Sequence, residues 1–193
     1  DRLTDDSTLG YVGFNNSQGA YDATNHLYDK GHRKISYLAG PDISISSKER
    51  GDGFLQSLAE HQLPVSGTSI VSCGSASEDG YTTGLKLLSD PNSRPTALLC
   101  FNDLVAIGVY RAAQELDLKI PQDISLIGFD NIELTEILAP PLSTMSLHID
   151  TFARDAATQL LHCIEQKESP ASFQKIYEPT LIERQSVSPP NLK

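Results

Sequence analysis

Short apolar runs alternate with segments of helical periodicity along most of the chain. The runs are typical of buried strands, and they are Tyr11 to Phe14, Ile35 to Gly40, Ser69 to Cys73, Thr96 to Phe101, Ile124 to Phe129 and Leu142 to Leu147. Apolar positions with helical spacing predict one helix after each of the first four runs. Because strands that alternate with single helices form right-handed βαβ units, the pattern predicts parallel sheets in an α/β protein.

The alternation stops after Asp130. Ala139-Pro140-Pro141 excludes a helix at that point, because proline cannot continue one. The segment Ile149 to Ile164 predicts an amphipathic helix, and Gln174 to Ile182 predicts a final extended segment. We therefore expect the last part of the chain to leave the regular βαβ order.

Length and charge restrict the class of protein. The 193 residues suffice for one large domain or two modest ones, and 15 Lys and Arg against 25 Asp and Glu give a net charge of −10. An acidic surface repels phosphate, so we expect the residues present not to bind nucleic acid by themselves. The chain has no apolar run of membrane-spanning length, and its start lacks the pattern of a signal peptide. These features predict a cytoplasmic protein without a membrane partner.

The three cysteines are widely spaced and form no C-x-x-C motif. Such a set is a poor disulfide framework. Cys73 and Cys100 each stand in or beside a predicted strand, where they are expected to pack as small hydrophobic side chains. This cysteine usage fits a reducing compartment.

Small polar residues follow the predicted strands repeatedly. Ligands of open parallel sheets bind just beyond the carboxyl ends of the strands, and amide, carboxylate and guanidinium groups bind hydroxyl-rich molecules in directed geometry. The candidate binding residues are Asn15, Asn16, Arg50, Ser75, Asn102 and Asp130. Structural alternatives remain open, since Asn102 could be only a helix N-cap, Asp130 could cap a turn and Arg50 could lie on a solvated helix face.

Catalytic and metal-binding motifs are not found. The five histidines lie outside the loops that follow the strands, and neither H-x-x-x-H nor H-E-x-x-H occurs. The chain also lacks the glycine-rich phosphate loops G-x-x-x-x-G-K and G-x-G-x-x-G. Glu49-Arg50 is interpreted as a local charge pair rather than an acid and base. The sequence therefore predicts no enzyme, no metal site and no cofactor.

Several short motifs occur together in one order. The densest are Asn102 to Gly108 (NDLVAIG) and Ile120 to Asn131 (IPQDISLIGFDN). Others are Gly31 to Ile35 (GHRKI), Leu38 to Pro41 (LAGP), Glu49-Arg50 with Gly53-Phe54, Pro140 to Met145 (PPLSTM) and Leu181 to Ser186 (LIERQS). In this order the chain resembles the effector-binding core of the LacI/GalR family of transcriptional regulators, whose fold is that of type I periplasmic binding proteins.

The resemblance implies two Rossmann-like lobes with parallel sheets, joined by three crossovers. Residues 1–41 with 147–168 are assigned to a partial N-terminal lobe, and residues 42–146 with 171–190 to a C-terminal lobe. Family members carry a DNA-binding helix-turn-helix and the opening strands of the first lobe before the point where this chain begins. We therefore expect a truncated chain in which the first lobe is incomplete.

The resemblance also assigns roles to individual residues. Arg50 matches the arginine that reaches ligand hydroxyls or carboxylates, Asn102 the amide at a strand end, and Asp130 the acceptor carboxylate. Ser75 stands where many members carry an aromatic ring that stacks on the ligand, and Asn15 stands where the family often has aspartate. The ligand-binding set implied is these five residues with Asn16.

The predicted function is that of the effector-sensing part of a transcriptional regulator, a repressor in our interpretation. Its partners are expected to be a sugar, phosphosugar or nucleoside in the cleft, operator DNA bound through the absent N-terminal domain, and a second copy in a homodimer. The alternative is the solute-binding protein of a sugar ABC transporter, which has the same fold. An enzyme on this scaffold would need a base or nucleophile in the cleft. The sequence alone leaves open which effector binds and whether it induces or co-represses.

Overall fold

A computed structural model describes residues 10–166 and 173–191. The remaining residues, which include Asp1-Arg2 and the ends of the lobe ranges assigned above, lie outside the described part. Two sheets are present in it. A small parallel sheet pairs β1 (Tyr11–Phe14) with β7 (Gln174–Tyr177), and a six-stranded sheet has the order β3-β2-β4-β5-β6-β8.

The large sheet is parallel except at one edge. Its strands are β2 (Ile35–Ala39), β3 (Ile70–Ser72), β4 (Ala97–Cys100), β5 (Ser125–Asp130), β6 (Ser143–Ser146) and β8 (Thr180–Ile182). β8 runs antiparallel to β6, and all the other pairs are parallel. The prediction of an α/β protein with parallel sheets is confirmed.

The helices begin and end where the sequence supplies caps. They are α1 (Asn16–Asp29), α2 (Ile45–Glu60), α3 (Ser77–Leu88), α4 (Asp103–Glu115), the short α5 (Leu134–Ile137) and α6 (Ile149–Gln166). The side chains of Asn15, Ser44 and Asn102 accept hydrogen bonds from the first turns of α1, α2 and α4, as N-caps do. Gly31 ends α1 with φ +101°, a conformation that glycine adopts readily.

The chain passes between the two sheets three times, as the resemblance implied. It leaves the small sheet after β1, returns to it from β6 through α6 to β7, and crosses again to β8. Two boundaries of the assigned lobes are wrong. β2, which falls within residues 1–41, lies between β3 and β4 in the large sheet. β7, which falls within residues 171–190, belongs with β1 in the small sheet. The two sheets divide the chain near residue 15 rather than near residue 41.

The core consists of one apolar layer on each face of the large sheet. One layer is contributed by α1 and α2 and includes Leu27, Phe54 and Phe129. The other is contributed by α3 and α4 and includes Leu88, Val109 and Leu126. β4 is fully buried along its length, as expected for a central parallel strand covered by helices on both faces.

Two details of the sequence prediction need correction. The polar residues Pro41 to Lys48 were expected to precede the second predicted helix, the one that contains Phe54. That helix, α2, already begins at Ile45 within this polar segment, because Ser44 caps it. The extended segment predicted over residues 174–182 is two strands in different sheets, β7 and β8.

Helix α6 forms as predicted, but much of its apolar side is exposed in the described structure. Leu160, Leu161 and Ile164 are each more than half exposed, and Cys163 is buried. Phe152, near the start of the helix, packs against Phe14 of β1 with ring centroids 4.6 Å apart. Within the described residues, no helix is long and apolar enough to cross a membrane.

Candidate functional site

Four of the six predicted binding residues lie at the carboxyl edge of the large sheet, and Asn15 and Asn16 follow β1 of the small sheet. β2, β4 and β5 are neighbouring parallel strands, so the residues that follow them meet at one edge. Asn102 follows β4, and Asp130 is the last residue of β5. Arg50 reaches the same edge from α2, where it lies one and a half turns into the helix.

Arg50 is the centre of this edge. Its side chain is only 5% exposed, and its Nε donates to Oδ1 of Asn16 at 3.0 Å. Nη1 donates to the carbonyl oxygen of Phe101 at the end of β4. The guanidinium lies 3.6 Å from the ring centroid of Phe129, in a stacked cation–π contact. Arg50 is therefore a buried residue, and the alternative of a solvated helix face is excluded.

Asp130 is the nearest carboxylate to Arg50. Nη2 of Arg50 lies 3.9 Å from its Oδ1, and the Asp130 side chain is 35% exposed. Burial raises the pKa of Asp130, although the charge of Arg50 opposes that shift. Asp130 has φ +110° and Asn131 has φ +58°, an unusual backbone for non-glycine residues. Within the described structure the Asp130 carboxylate accepts no hydrogen bond, so both its oxygens remain free to bind a ligand.

Asn16 connects Arg50 to a second carboxylate. Its Oδ1 accepts from Arg50, and its Nδ2 donates to Oε2 of Glu49 at 2.9 Å. Asn16 and Glu49 line a recess of about 50 Å³ together with Phe14 of β1 and Phe152 of α6. This recess therefore lies between elements that belong to the two different sheets.

Asn102 and Ser75 form a separate part of the edge. The Asn102 Oδ1 accepts from the backbone N–H of Val105 at 2.8 Å, and its Nδ2 donates to the carbonyl oxygen of Ser75 at 3.0 Å. Asn102 is thus the predicted N-cap of α4. One Nδ2 hydrogen and one Oδ1 lone pair remain, which is enough for a ligand contact in addition.

The side chain of Asn15 forms two hydrogen bonds within the protein, one with the backbone and one with another side chain. It caps α1 through its Oδ1 and donates from Nδ2 to Oε1 of Glu178 at 3.1 Å. It joins the beginning of α1 to the segment between β7 and β8. Of the two asparagines after β1, Asn16 contacts the Arg50 group and Asn15 does not.

Asp103 is a buried carboxylate behind this edge. It accepts from the Thr144 hydroxyl at 2.6 Å and from the backbone N–H of Ile132 at 2.9 Å. A Cβ at Gly128 would lie 2.1 Å from Oδ1 of Asp103, so glycine is needed for this approach. The hydrogen bonds fix the turn that carries Asp130. Burial raises the pKa of Asp103 to about 6.

This pKa predicts a pH dependence of stability. The folded protein holds the Asp103 proton more tightly than the unfolded chain does, so the free energy of unfolding should fall as pH rises from about 4 to about 6 and then level off. Asp103→Asn removes the titration. Denaturant unfolding should therefore show the variant gaining about 2 kcal/mol on the wild type across that interval. A difference between the two proteins that does not change with pH would contradict the assignment.

Sequence reasoning missed two of these acidic residues. Glu49 was interpreted as a charge partner of Arg50, yet it binds Asn16 instead. Asp103 follows an N-cap and is easily taken as an acidic residue of the first helical turn. The glycine at position 128, in the middle of a strand, was the available signal, because such a glycine often marks a close approach.

The chemistry of the edge is that of hydrogen bonding. It offers carboxylate and amide acceptors, amide donors and one guanidinium over aromatic rings. Within the described residues, no group of three or more His, Cys, Asp or Glu side chains could hold a metal ion. Burial raises the pKa of the Cys73 and Cys100 thiols, which disfavours the reactive thiolate.

The chain is similar in sequence to a known family and to known repressors. A sequence family described as periplasmic binding protein-like domain matches residues 24–187. The HTH-type transcriptional repressor PurR of Vibrio cholerae serotype O1 (strain M66-2) is 35% identical over 173 residues, which is 90% of this chain and 51% of that protein.

Two solved structures share the fold. A regulatory protein of the LacI family from Chloroflexus aggregans has a TM-score of 0.86 and 32% identity, covering 97% of this chain and 66% of its own. A LacI family transcriptional regulator from Enterococcus faecium with bound ribose has a TM-score of 0.88 and 26% identity, covering 96% and 68%. The chain spans about half the length of the curated relatives it matches.

Proposed function

The chain belongs to the effector-binding domains of the LacI/GalR family of transcriptional regulators, and from this premise we propose that it senses a small molecule for a DNA-binding repressor. The observation that carries the proposal is the network around Arg50. It joins Asn16, the first residue of the helix that follows β1 of the small sheet, to Phe101 and Asp130 at the edge of the large sheet.

The ligand site of this proposal is the carboxyl edge and the cleft in front of it. Arg50, Asn102 and Asp130 are its central residues, and Ser75, Asn15 and Asn16 complete the set. Asn102 has bonding capacity beyond its cap, and Asp130 has two free oxygens. Asn15 positions Glu178 and Asn16 positions Arg50 through side-chain hydrogen bonds, in addition to any direct contact with the ligand.

A ligand held at this edge can act on the relative position of the two sheets. The recess between Asn16, Glu49, Phe14 and Phe152 is formed by residues from both sides. A ligand that contacts both sides favours one arrangement by its differential affinity for the alternatives. In the complete protein that shift changes the affinity for operator DNA.

The regulator is favoured over the solute-binding protein of a transporter and over an enzyme. The curated relative named above is a transcriptional repressor, and the edge of the sheet presents amides and carboxylates rather than a base paired with a nucleophile. DNA-binding relatives also support a place in the cytoplasm. The other partners in this proposal are operator DNA, bound by a part of the protein beyond this chain, and a second copy in a homodimer.

A thermal-shift screen of the complete protein tests the proposal. Sugars, phosphosugars and nucleosides are added singly, and at a concentration 100 times its Kd a ligand stabilises the folded state by about 2.7 kcal/mol. That corresponds to a rise in Tm of roughly 5–10 °C for a protein of this size. The same ligand should change the retention of genomic DNA fragments by the protein. A ligand that shifts Tm without any change in DNA retention would contradict a regulatory role.

A further inference from the structure

The carboxyl edge carries more negative than positive charge, and its cation already interacts with groups of the protein. Glu49 and Asp130 present carboxylates there, and Arg50 is the cation between them. Arg50 is 5% exposed, and its Nε and Nη1 donate to Asn16 and Phe101. The ring of Phe129 covers one face of the guanidinium. One Nη1 hydrogen and both Nη2 hydrogens remain, and Nη2 lies 3.9 Å from Oδ1 of Asp130.

Glu49 is held in place without a counter-ion. Its Oε2 accepts from the Asn16 amide at 2.9 Å, and among the described cations none lies within ion-pair distance of it. It lines the recess between the two sheets. The neighbouring Lys48 is exposed and lines a different hollow, beside Gly40 and Asp42. Glu49 therefore has no ion pair of its own among the described residues and shares the more distant charge of Arg50 with Asp130.

Other carboxylates reinforce the negative potential of this edge. Asp103 lies behind Asp130, and Asp79 accepts from the backbone N–H groups of Ser75 and Ala76 at the end of β3. An anionic ligand would approach several carboxylates and a single buried guanidinium, whose charge is shared by Asp130 and Glu49. Hydroxyl groups, in contrast, can donate to the free oxygens of Glu49 and Asp130 in charge-assisted hydrogen bonds.

We propose that Glu49 is a specificity residue of this cleft, which favours an uncharged polyhydroxyl ligand and rejects its phosphorylated analogues. This inference rests on the proposed function, because it concerns the same cleft. Of the three ligand classes expected from the sequence, it removes the phosphosugars and keeps the sugars and the nucleosides. Specificity of this kind arises from repulsion of the wrong ligand as much as from attraction of the right one.

The test compares sugars with their own phosphates. The complete protein is titrated with D-ribose and ribose 5-phosphate, and with D-glucose, glucose 6-phosphate and further pairs of this type. We expect an unphosphorylated sugar to bind at least tenfold more tightly than its phosphate. In Glu49→Gln the amide oxygen still accepts from Asn16, but the charge is removed. Sugar affinity should fall about tenfold, and the preference over the phosphate should narrow by at least that factor.

Glu60→Gln is the matched control. Glu60 is on the same helix, roughly 16 Å along its axis from Glu49, and it also accepts a hydrogen bond from an amide, that of Gln56 at 3.1 Å. Its substitution should leave both affinities unchanged. If only phosphates bind, or if Glu49→Gln leaves the preference unaltered, the inference is wrong and the sensing function stands. If neither member of any pair binds and no nucleoside binds either, the proposed function is contradicted as well.

Discussion

Replacing Arg50 with alanine should lower the free energy of unfolding by about 4 kcal/mol. The substitution removes a buried guanidinium that donates to Asn16 and to the Phe101 carbonyl and stacks on Phe129. It leaves those acceptors unpaired, opens a cavity and deprives Asp130 of its cation, and losses of this kind are typically about 3–5 kcal/mol. Denaturant unfolding measures the change, and Arg50→Lys should also lose stability because a single ammonium cannot replace the planar fork.

Arg111→Ala provides the matched comparison. Arg111 also forms an ion pair, with Glu78 at 2.9 Å, and also stacks on an aromatic ring, that of Tyr81. Both members of its ion pair are well over half exposed, so solvent screens the interaction. The decrease in the free energy of unfolding in Arg111→Ala should be a small fraction of the decrease in Arg50→Ala. Equal losses at the two positions would show that Arg50 is not the structural centre of the edge.

Replacing Asp130 with asparagine should weaken ligand binding about a thousandfold. Two charge-assisted hydrogen bonds from ligand hydroxyls are lost or weakened, and the combined cost is about 4 kcal/mol. Stability should change far less, because the carboxylate accepts no hydrogen bond from the described residues and lies 3.9 Å from Arg50. Calorimetric titration of a ligand found in the screen measures the affinity, and unfolding of the unliganded protein measures the stability.

Asp123→Asn is a suitable control for that substitution. Asp123 lies at the opposite end of β5, where its carboxylate accepts from the backbone N–H of Lys119 at 2.8 Å. This change should affect stability more than affinity. An Asp130→Asn variant that keeps full ligand affinity would remove Asp130 from the binding site.

Much of the fold could be predicted because the signals are local. The buried strands read as apolar runs, and Asn102 and Gly31 mark the start of α4 and the end of α1 through capping chemistry that depends only on near neighbours. The partition between sheets was harder to predict. Nothing in the run Ile35 to Gly40 distinguishes a strand of one lobe from a strand of the other, since both lobes use buried parallel strands.

The candidate site shows the same division between local and distant signals. The sequence predicts that Arg50, Asn102 and Asp130 gather at one edge, because parallel strands align their carboxyl ends. It does not predict which side chain each contacts. The contact between Glu49 and Asn16 depends on how α1 and α2 pack, and at their crossing a Cβ on Gly53 would lie 1.9 Å from the Ser17 carbonyl oxygen. Such a close approach is determined by the tertiary structure rather than by neighbouring residues.

A crystal structure of the complete protein with its stabilising ligand tests the central claim most directly. We predict ligand density at the carboxyl edge, with hydroxyl groups within hydrogen-bond distance of Asp130 and Asn102 and near Glu49. The main competing position is the hollow of about 720 Å³ beside α4, which is lined by Tyr110, Leu118 and Leu138. Ligand bound in that hollow, with the edge around Arg50 empty, would contradict the account.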